Sequence, residues 1–496
     1  MDFIASLLAL TFVLACIHVL KHSSYRRQPG PPGPYPFPII GNIFQLGHKP
    51  HLSLATLSKT YGPLMSLQLG TITTMVVSSP KIAKEVLQKH DQVFSGRPVP
   101  HAITALDHNT VSMAWLPAEK QWRNLRKICK EHLFSSQRLN ASQVLRREKV
   151  QELLDYIHEC CIRSQAVDIG RVAFTTTLNL ISNTIFSIDL AHLHDSNGSQ
   201  VPKDIVWGLM EYVGKPNLAD YFPVLRLIDP QGILKQGQIY FEKLSVIFDG
   251  IINRRIESRS SSSSRSNDLL ETLLDLSQKN DSELSYKDMK HMFVDLFVAG
   301  TDTTTTTVEW AMAELLQNPT IMARARTELE QVIGKEGGAV QESDIARLPY
   351  LQAVVKETFR LHPPAPFLVP HKAESDTKIN GYIVPKNAQI LINLWAIGRD
   401  SSIWSNPDSF VPERFLESEI DFRGQDFELI PFGAGRRICP GLPLAHRMVH
   451  LILASLLHCF DWKVEDGMIP KEVDMSDKFG LTLSKAVPPK AYPIKV

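Results

Sequence analysis

The chain has 496 residues, of which 44% are hydrophobic, 21% charged and 8% aromatic. This length predicts two or three core units or one unusually large fold, and the composition excludes a chain that is disordered or low-complexity throughout. Lys and Arg number 53 against 52 Asp and Glu, so the net charge of +1 gives no indication of a nucleic-acid partner. The six cysteines include no C-x-x-C pair, which argues against iron–sulfur and structural zinc sites and fits a reducing compartment.

The first segment is apolar, because residues 3–20 contain no Asp, Glu, Lys or Arg. As a helix it would be about 27 Å long, which is close to the thickness of an endoplasmic reticulum bilayer. A cleaved signal peptide is the alternative, but there the positive charge precedes an apolar region of about 7–15 residues. Here Lys21, Arg26 and Arg27 follow it. We therefore predict an uncleaved membrane anchor over residues 1–21, with the rest of the chain in the cytosol.

Residues 22–38 are basic and then rich in proline. Proline fixes φ and removes an amide donor, so this segment cannot be a helix. We interpret it as a stiff hinge between membrane and folded domain, and an undirected linker is the alternative. Residues 39–496 contain no visible repeat and no dividing linker, which predicts a single folded domain.

Within that domain most of the predicted structure is helical. Leu64–Val77 alternates like a β-hairpin, and Pro80–Lys89 predicts a short helix with proline at its start. Helical spacing covers most of 118–317, interrupted by a Ser/Arg run at Ser258–Ser266 that reads as a solvated loop. Between 363 and 440 prolines are frequent and strands are short. The predicted class is mainly α with small β-sheets, that is, α+β.

A long helix is predicted from about residue 285 to 317. Leu296, Ala299 and Thr303 share one of its faces, so the threonine interrupts an apolar stripe. A polar surface or a simple kink is one interpretation, since threonine hydroxyls can bond back to helix carbonyls. The other is chemical, because Asp302 beside Thr303 places an acid next to an alcohol, as a proton relay requires.

Glu357 and Arg360 lie at i, i+3 and therefore share one helical face. Such pairs are usually solvated and contribute under about 1 kcal/mol. The predicted helix Leu351–Leu361 is apolar on most sides, however, which favours burial. A buried ion pair needs further partners to satisfy its remaining atoms.

The strongest motif is FGAGRRICPG at residues 432–441, followed by an apolar helical period over Leu442–Leu457. Cys439 thus precedes a helix N-terminus in a glycine turn, where the dipole and the amide donors favour thiolate. Glycines also let a flat ligand approach the backbone closely. A lone thiolate without cysteine or histidine partners is typical of the axial ligand of haem iron. A buried structural cysteine is the alternative.

This motif resembles the haem-binding signature of the cytochrome P-450 superfamily, whose fixed positions are matched by Phe432, Gly435, Arg437, Cys439 and Gly441. The other landmarks follow in the expected order from the anchor to the C-terminus. The resemblance implies that heme b lies between the long helix and the cysteine loop, with Cys439 as ligand to the metal. It also implies proton delivery for oxygen activation by the Asp302–Thr303 pair.

Further roles follow from the same resemblance. Arg414, in the sequence PERF, is the implied partner of the Glu357–Arg360 pair. The implied contacts to the haem propionates are Trp122, Arg126, His371 and Arg437. The implied substrate pocket includes Ile103, Leu296, Ala299, Ala365, Phe367, Val369 and Leu481.

The substrate expectation combines the apolar pocket stretches with motifs such as LPYLQA at residues 348–353 and NLWAIGRD at 393–400. These motifs are similar to those of microsomal plant enzymes, in particular the geraniol 8-hydroxylase-like group. Terpenoids are therefore the expected substrates, and phenolics, flavonoids or alkaloids are the alternative. A different class also stays open: a haem sensor or carrier, or an enzyme that rearranges hydroperoxides without a reductase.

The expected partners are O2, a small hydrophobic substrate, membrane lipid and NADPH–cytochrome P-450 reductase, since the chain shows no flavin-binding or NADPH-binding half. Arg123, Arg126, Lys127 and Lys130 form a basic cluster on one predicted helix. Such a face would steer an acidic flavoprotein, although most charged runs are simply solvated.

Overall fold

The structure is a computed structural model. The residues that it describes are 30–194, 200–261, 265–278, 284–334, 338–464 and 468–495. The predicted anchor over residues 1–21 and the first part of the hinge, 22–29, lie outside the described residues. Part of the predicted Ser/Arg loop, 262–264, lies outside them as well.

The described residues are mainly helical, as predicted. The longer α-helices are α1 Pro50–Tyr61, α2 Lys120–His132, α3 Gln143–Ile162, α4 Ile169–Phe186, α5 Gln200–Gly214, α6 Ile233–Ser261, α7 Leu269–Ser277, α8 Tyr286–Gln317, α9 Pro319–Ile333, α10 Pro349–Leu361 and α11 Leu442–Cys459. Short α-helices are Ile43–Leu46, Pro80–Lys84, Ser136–Ala141, Leu218–Tyr221 and Leu394–Ile397.

The strands are short and form small sheets. They are β1 Leu64–Leu69, β2 Ile72–Val77, β3 Val167–Asp168, β4 His371–Lys372, β5 Thr377–Ile379, β6 Tyr382–Val384, β7 Gln389–Ile392, β8 Phe460–Val464, β9 Asp477–Phe479, β10 Leu483–Lys485 and β11 Lys490–Lys495. The largest sheet has the order β1-β2-β7-β4, in which β1 and β2 form the predicted hairpin and β2 runs parallel to β7. The others pair β3-β11-β8, β5-β6 and β9-β10.

Helix α8 crosses the interior and contacts α4, α10 and α11. Its start is set by a capping box, in which Ser285 and Asp288 satisfy each other's backbone amides. The threonine run does not interrupt it, because Thr303 Oγ1 donates to the Ala299 carbonyl at 2.8 Å and Thr305 to Thr301 likewise. The predicted back-bonding is therefore confirmed, and it satisfies hydroxyls that would otherwise be buried without a partner.

Two predicted elements differ in detail from the structure. The Ser/Arg run predicted as a loop is helical at residues 258–261, where α6 ends. The short helix at Pro80 begins as an α-helix with Ser79 as N-cap, but residues Glu85–Lys89 wind as a π-helix. Of the described residues, only α11 is both long and apolar enough to cross a bilayer, and most of it is buried inside the fold. It is therefore a core helix that packs against α8. The cysteine loop, which precedes it in the chain, is thereby held close to α8.

Candidate active site

A cavity of about 360 Å³ lies between α8 and the loop that precedes α11. Thr303 lines one side and Cys439 another, so the structure brings together two predicted functional residues that are far apart in sequence. Most of the remaining walls are apolar. They include Leu209, Met210, Val213, Phe241, Val294, Val298 and Leu368. A mostly apolar cavity with a few convergent polar groups is typical of a small-molecule site.

The cysteine loop is held in shape by its own backbone. The Cys439 amide donates to the Phe432 carbonyl at 2.9 Å, which closes the loop. Gly435 adopts φ +65°, and a Cβ there would lie 2.0 Å from the Leu87 carbonyl oxygen. Gly435 is thus needed both for its left-handed conformation and for close packing, while Phe432 lines the cavity and stacks edge-on against Phe359.

The Cys439 sulfur faces the cavity at the entrance to α11. Burial raises the pKa of its thiol, whereas amide donors from Gly441 and Leu442 and the charge of Arg126 act in the opposite direction. The predicted preference for thiolate at this helix start is therefore outweighed by burial when no cation is bound. A metal ion that coordinates the sulfur would supply the positive charge that the site lacks.

Three arginines converge on the same cavity: Arg97, Arg126 and Arg437. Arg437 donates to the Ser95 carbonyl at 2.9 Å, Arg97 donates to the Pro370 carbonyl at 2.9 Å, and Arg126 donates to the Ile438 carbonyl. Among the described residues none of these guanidinium groups has a carboxylate within ion-pairing distance, and Arg97 Nε is buried with no hydrogen-bond partner. Three cations held only by carbonyls form a site for an anion.

The charges of these arginines affect one another. Burial, together with the neighbouring charges of Arg437 and Arg126, lowers the pKa of Arg97 to about 9. It stays protonated at pH 7. Trp122 completes this wall, since its indole donates to the Met113 carbonyl at 3.1 Å and the Arg437 guanidinium lies 4.6 Å from its ring centre.

His371 lines the cavity beside the arginines but differs from them in chemistry. Its Nδ1 lies 2.7 Å from the Phe94 carbonyl and therefore carries the hydrogen. Burial and the charge of Arg97 hold the pKa of His371 well below its usual range, so the ring is neutral. The Nε2 atom then has no hydrogen to donate, and the anion site rests mainly on the arginines.

These observations fit a haem. Gly433 and Gly441 line the cavity beside Cys439, so a flat group can approach the sulfur without meeting side chains at these positions. The unpaired arginines would meet the two carboxylates of such a group, and the apolar walls would meet its ring.

The two predicted proton-transfer residues take different positions. Thr303 lines the cavity, but Asp302 does not. The Asp302 carboxylate is buried in the protein and accepts a hydrogen bond of 2.6 Å from Thr482 Oγ1. Burial raises the pKa of Asp302 to about 6, although the Thr482 hydroxyl acts to lower it. Thr482 does line the cavity, so the acid contacts the cavity through the Thr482 hydroxyl.

Glu357, Arg360 and Arg414 form a buried network remote from the cavity walls. Arg360 forms a two-bonded pair with Glu357, at 2.7 and 2.8 Å, and Arg414 Nε reaches the same carboxylate at 3.0 Å. Backbone carbonyls of Pro407 and Ser409 accept the remaining Arg360 donors. The structure thus places together the three residues that the sequence analysis grouped, with the pair itself fully buried.

Six of the seven predicted pocket residues line the cavity. They are Ile103, Leu296, Ala299, Ala365, Val369 and Leu481. The expectation for Phe367 is wrong in these terms, because its ring packs away from the cavity, against Phe479 and the cluster around β1. Leu368 lines the cavity instead; its φ of +56° marks a turn that reverses the alternation expected for an extended run.

Several polar residues that line the cavity were not among the individually predicted site residues: Arg97, Thr482, His108 and Asp295. Arg97 had a weak local signal, since it stands between Gly96 and Pro98, a place where an arginine has no helical partner. The other three had none, because their partners lie far away in sequence.

The comparisons with known proteins agree with this geometry. Residues 31–489 match the family model described as Cytochrome P450. The chain is 59% identical to "Cytochrome P450 76T24" of Catharanthus roseus, over 100% of this chain and 99% of that protein. It is 52% identical to "Geraniol 8-hydroxylase" of Catharanthus roseus, over 99% of both, and 50% identical to "Ferruginol synthase" of Salvia miltiorrhiza, over 100% and 99%. The chain that builds this cavity therefore belongs to the cytochrome P450 family and is a cytochrome P450 monooxygenase.

Proposed function

We propose that this protein is a membrane-anchored haem-thiolate monooxygenase that hydroxylates a small hydrophobic terpenoid, using O2 and electrons from NADPH–cytochrome P450 reductase. The observation that carries the proposal is the composition of one cavity. Among the described residues, it combines a single cysteine, three arginines without carboxylate partners and largely apolar walls. The similar proteins named for geraniol and ferruginol support the choice of terpenoids.

The roles of the residues follow from what they contact. Cys439 would hold the iron of heme b, and Arg97, Arg126 and Arg437 would hold its carboxylates, with Trp122 packed between them. When bound, the haem supplies the activation of O2 and the insertion of one oxygen atom into a C–H bond. The protein supplies position, exclusion of water and protons.

Proton delivery is assigned to two hydroxyls and one acid. The Thr303 hydroxyl lies at the cavity wall, where it can orient a water, while Thr482 connects the cavity to Asp302. A carboxyl whose pKa is raised to about 6 exchanges a proton readily near neutral pH. Because Asp302 is buried, it exchanges its proton with the cavity through the Thr482 hydroxyl rather than directly with bulk water.

Two surfaces support the membrane and reductase assignments. Exposed apolar side chains from two segments lie around the β1–β2 turn. Each segment is hydrogen-bonded to this turn: the Gly70 amide donates to the Ile40 carbonyl and the Thr71 amide donates to the Tyr221 carbonyl. These side chains are Tyr35, Phe37, Ile39, Phe44, Val224, Leu227 and Ile228. An apolar patch of this kind marks contact with a membrane or a protein.

The basic cluster on α2 divides in the structure. Arg123, Lys127 and Lys130 are exposed, whereas Arg126 turns inward and bonds the cysteine loop at Ile438. The exposed cations therefore lie on the helix that contacts the thiolate loop, where an acidic electron donor would have the shortest path to the iron.

The test is reconstitution of the full chain in microsomes with a plant NADPH–cytochrome P450 reductase. We expect a thiolate-type carbon monoxide difference spectrum and NADPH-dependent oxidation of terpene alcohols or hydrocarbons, in preference to phenolics, flavonoids and alkaloids. Cys439→Ser should abolish the spectrum, and the matched variant Cys161→Ser, at a partly exposed cysteine elsewhere, should not change it. Turnover of phenolics alone, or spectral binding without any NADPH-dependent product, would reject the terpenoid or the monooxygenase part respectively.

The proton-delivery assignment is tested separately by Thr303→Ala and Thr482→Val. Loss of one oriented donor commonly costs about 2.7–4 kcal/mol of transition-state stabilisation. Both variants should retain haem and consume NADPH, but the ratio of product to NADPH should fall and hydrogen peroxide should rise. An unchanged ratio in Thr482→Val, with a fall in Thr303→Ala, would remove Asp302 from the path.

A further inference from the structure

One end of the otherwise apolar cavity carries a charged group that the proposed chemistry does not use. Asp295 lies on α8 at the cavity wall, and its side chain is 9% exposed. Its Oδ1 accepts from Ser112 Oγ at 2.7 Å and lies 3.2 Å from His108 Nε2, and its Oδ2 accepts from the Met113 amide at 2.8 Å. These three donors come from one segment, which covers the cavity opposite α8.

This carboxylate keeps capacity for one more donor. Its two oxygens offer about four acceptor positions, and the segment has three hydrogens to fill them, because the single Ser112 hydroxyl hydrogen is shared between Oδ1 at 2.7 Å and Oδ2 at 3.0 Å. His108 cannot supply another hydrogen, because its second nitrogen lies 2.8 Å from His291 Nδ1. Burial, together with the charge of His108, lowers the pKa of His291 to about 4, so that ring is neutral at pH 7.

On the side that faces the cavity, the neighbours of Asp295 are apolar. The Phe241 ring lies 4.7 Å from the His108 ring, and Val294 and Leu296 line the cavity on either side of Asp295 along the chain. A partly satisfied carboxylate in such a place is costly unless a ligand donates to it. A hydroxyl group is the smallest donor that an otherwise hydrocarbon ligand can carry.

We propose that Asp295 binds the hydroxyl group of an alcohol substrate and thereby selects terpene alcohols over the corresponding hydrocarbons and ethers. The inference rests on the proposed function, because it takes the oxidised substrate to be a terpenoid. It extends that function by naming the polar group of the substrate and the atom that recognises it.

The helix also sets where such a substrate is oxidised. Asp295 and Thr303 are eight positions apart on α8, a rise of about 12 Å. Three bonds of an extended chain span about 3.5 Å, so this distance corresponds to about ten bonds, including the hydrogen bond. A substrate held by its hydroxyl at Asp295 therefore presents its far end at the level of Thr303, and oxidation falls on carbons remote from the hydroxyl.

The experiment measures binding to the haem-loaded full chain by calorimetry, with two alcohols and their methyl ethers: geraniol and 1-decanol. The ethers keep the carbon skeleton but have no hydrogen to donate. A hydrogen bond to a charged acceptor should favour each alcohol by about 10- to 100-fold. The Asp295→Asn variant should lower this ratio about tenfold, because a neutral amide oxygen accepts a weaker hydrogen bond than a charged carboxylate, while changing affinity for the ethers less than about threefold.

Two variants serve as controls. Ser112→Ala removes one donor that holds the covering segment but leaves the carboxylate, so the alcohol preference should persist. Asp295→Glu keeps an acceptor, so it should keep the preference and does not depend on whether Asp295→Asn folds. A ratio near one in the parent protein, or equal losses for alcohols and ethers in Asp295→Asn, would show that Asp295 only holds the covering segment.

Product analysis gives a second readout. The parent should oxidise geraniol mainly at the end remote from the hydroxyl, and Asp295→Asn should give a mixture of positions. Should 1-decanol bind with the predicted preference while no terpenoid is oxidised, the proposed substrate class fails but the hydroxyl site stands. Oxidation of terpenoids without any alcohol preference has the opposite meaning.

Discussion

Two groups of buried arginines differ in what neutralises them. Behind the active site, Arg360 is paired with Glu357 on the same helix and all its remaining donors reach carbonyls. In the cavity, Arg97 and Arg437 donate to carbonyls alone, and no carboxylate among the described residues pairs with them. The first group is complete within the protein, whereas the second is complete only with an anion.

The arginine side chain therefore serves stability in one place and ligand binding in another. A buried cation with a protein carboxylate contributes to folding, and removing either partner strands the other. A buried cation without one raises the energy of the empty protein and returns that energy when an anionic ligand binds. Four substitutions test which buried ionisable groups are neutralised within the protein.

Arg360→Ala should have the largest effect, a loss of about 3–5 kcal/mol in the free energy of unfolding, because it removes the two-bonded, fully buried partner of Glu357 and leaves that carboxylate with only the single charged hydrogen bond from Arg414. Denaturant unfolding and the yield of haem-loaded protein measure it. The matched control is Arg163→Ala, which removes an exposed arginine 3.4 Å from Glu159 at i, i+4 and should cost under about 1 kcal/mol. Equal effects of the two substitutions would mean that burial does not govern the contribution.

Asp302→Asn should have the second largest effect, which is a change in how the free energy of unfolding depends on pH. The pKa of Asp302 is about 6 in the folded protein, above the ordinary value of about 4, so between these values the folded state holds a proton that the unfolded state releases. The free energy of unfolding from this group therefore falls as pH rises through that window, by about 2–3 kcal/mol.

The Asn variant lacks this loss, while its amide oxygen can still accept from Thr482. Relative to the parent, it should therefore gain about 2–3 kcal/mol between pH 4 and pH 7. Denaturant unfolding of both proteins at each pH gives the difference, in which all other groups cancel. Parallel pH dependences would show that the pKa of Asp302 is not raised in the folded protein.

Arg97→Gln should leave the free energy of unfolding of the haem-free protein unchanged or higher, because the arginine has no protein carboxylate to lose. Haem release to an excess of apomyoglobin should become about tenfold faster, as expected for one lost charged hydrogen bond. Arg436→Gln is the control: this neighbour of Arg437 is half-exposed and pairs with Asp91 at 3.1 Å. Faster release in the control, or destabilised haem-free protein in Arg97→Gln, would contradict the assignment.

Arg414→Lys should have the smallest effect, about 1 kcal/mol. The charge beside Glu357 is kept, but the planar group that also donates to the Ser405 carbonyl at 3.0 Å is lost. The loss appears in denaturant unfolding, with haem content unchanged. A loss as large as that of Arg360→Ala would mean that geometry, rather than charge, holds the network.

Local features were predictable from sequence. The glycine-rich loop before Cys439, the extent of α8 and the i, i+3 pair Glu357–Arg360 all depend on residues that are near one another in the chain, and all three have the predicted form. Even the role of Arg414 was predictable, because its motif follows a fixed order in similar proteins.

The rest was decided by contacts over long separations. Thr482 reaches Asp302 from 180 residues away, and Ser112 reaches Asp295 from 183. Phe367 leaves the cavity because the turn at Leu368 reverses the side-chain alternation, which the apolar run could not indicate. Local residue patterns were enough to indicate the chemistry of the site, since a loop and a helix encode their own shapes. The polar groups that meet across the cavity became visible only in the folded chain, because hydrogen bonds between distant segments depend on packing and leave no periodic trace in the chain.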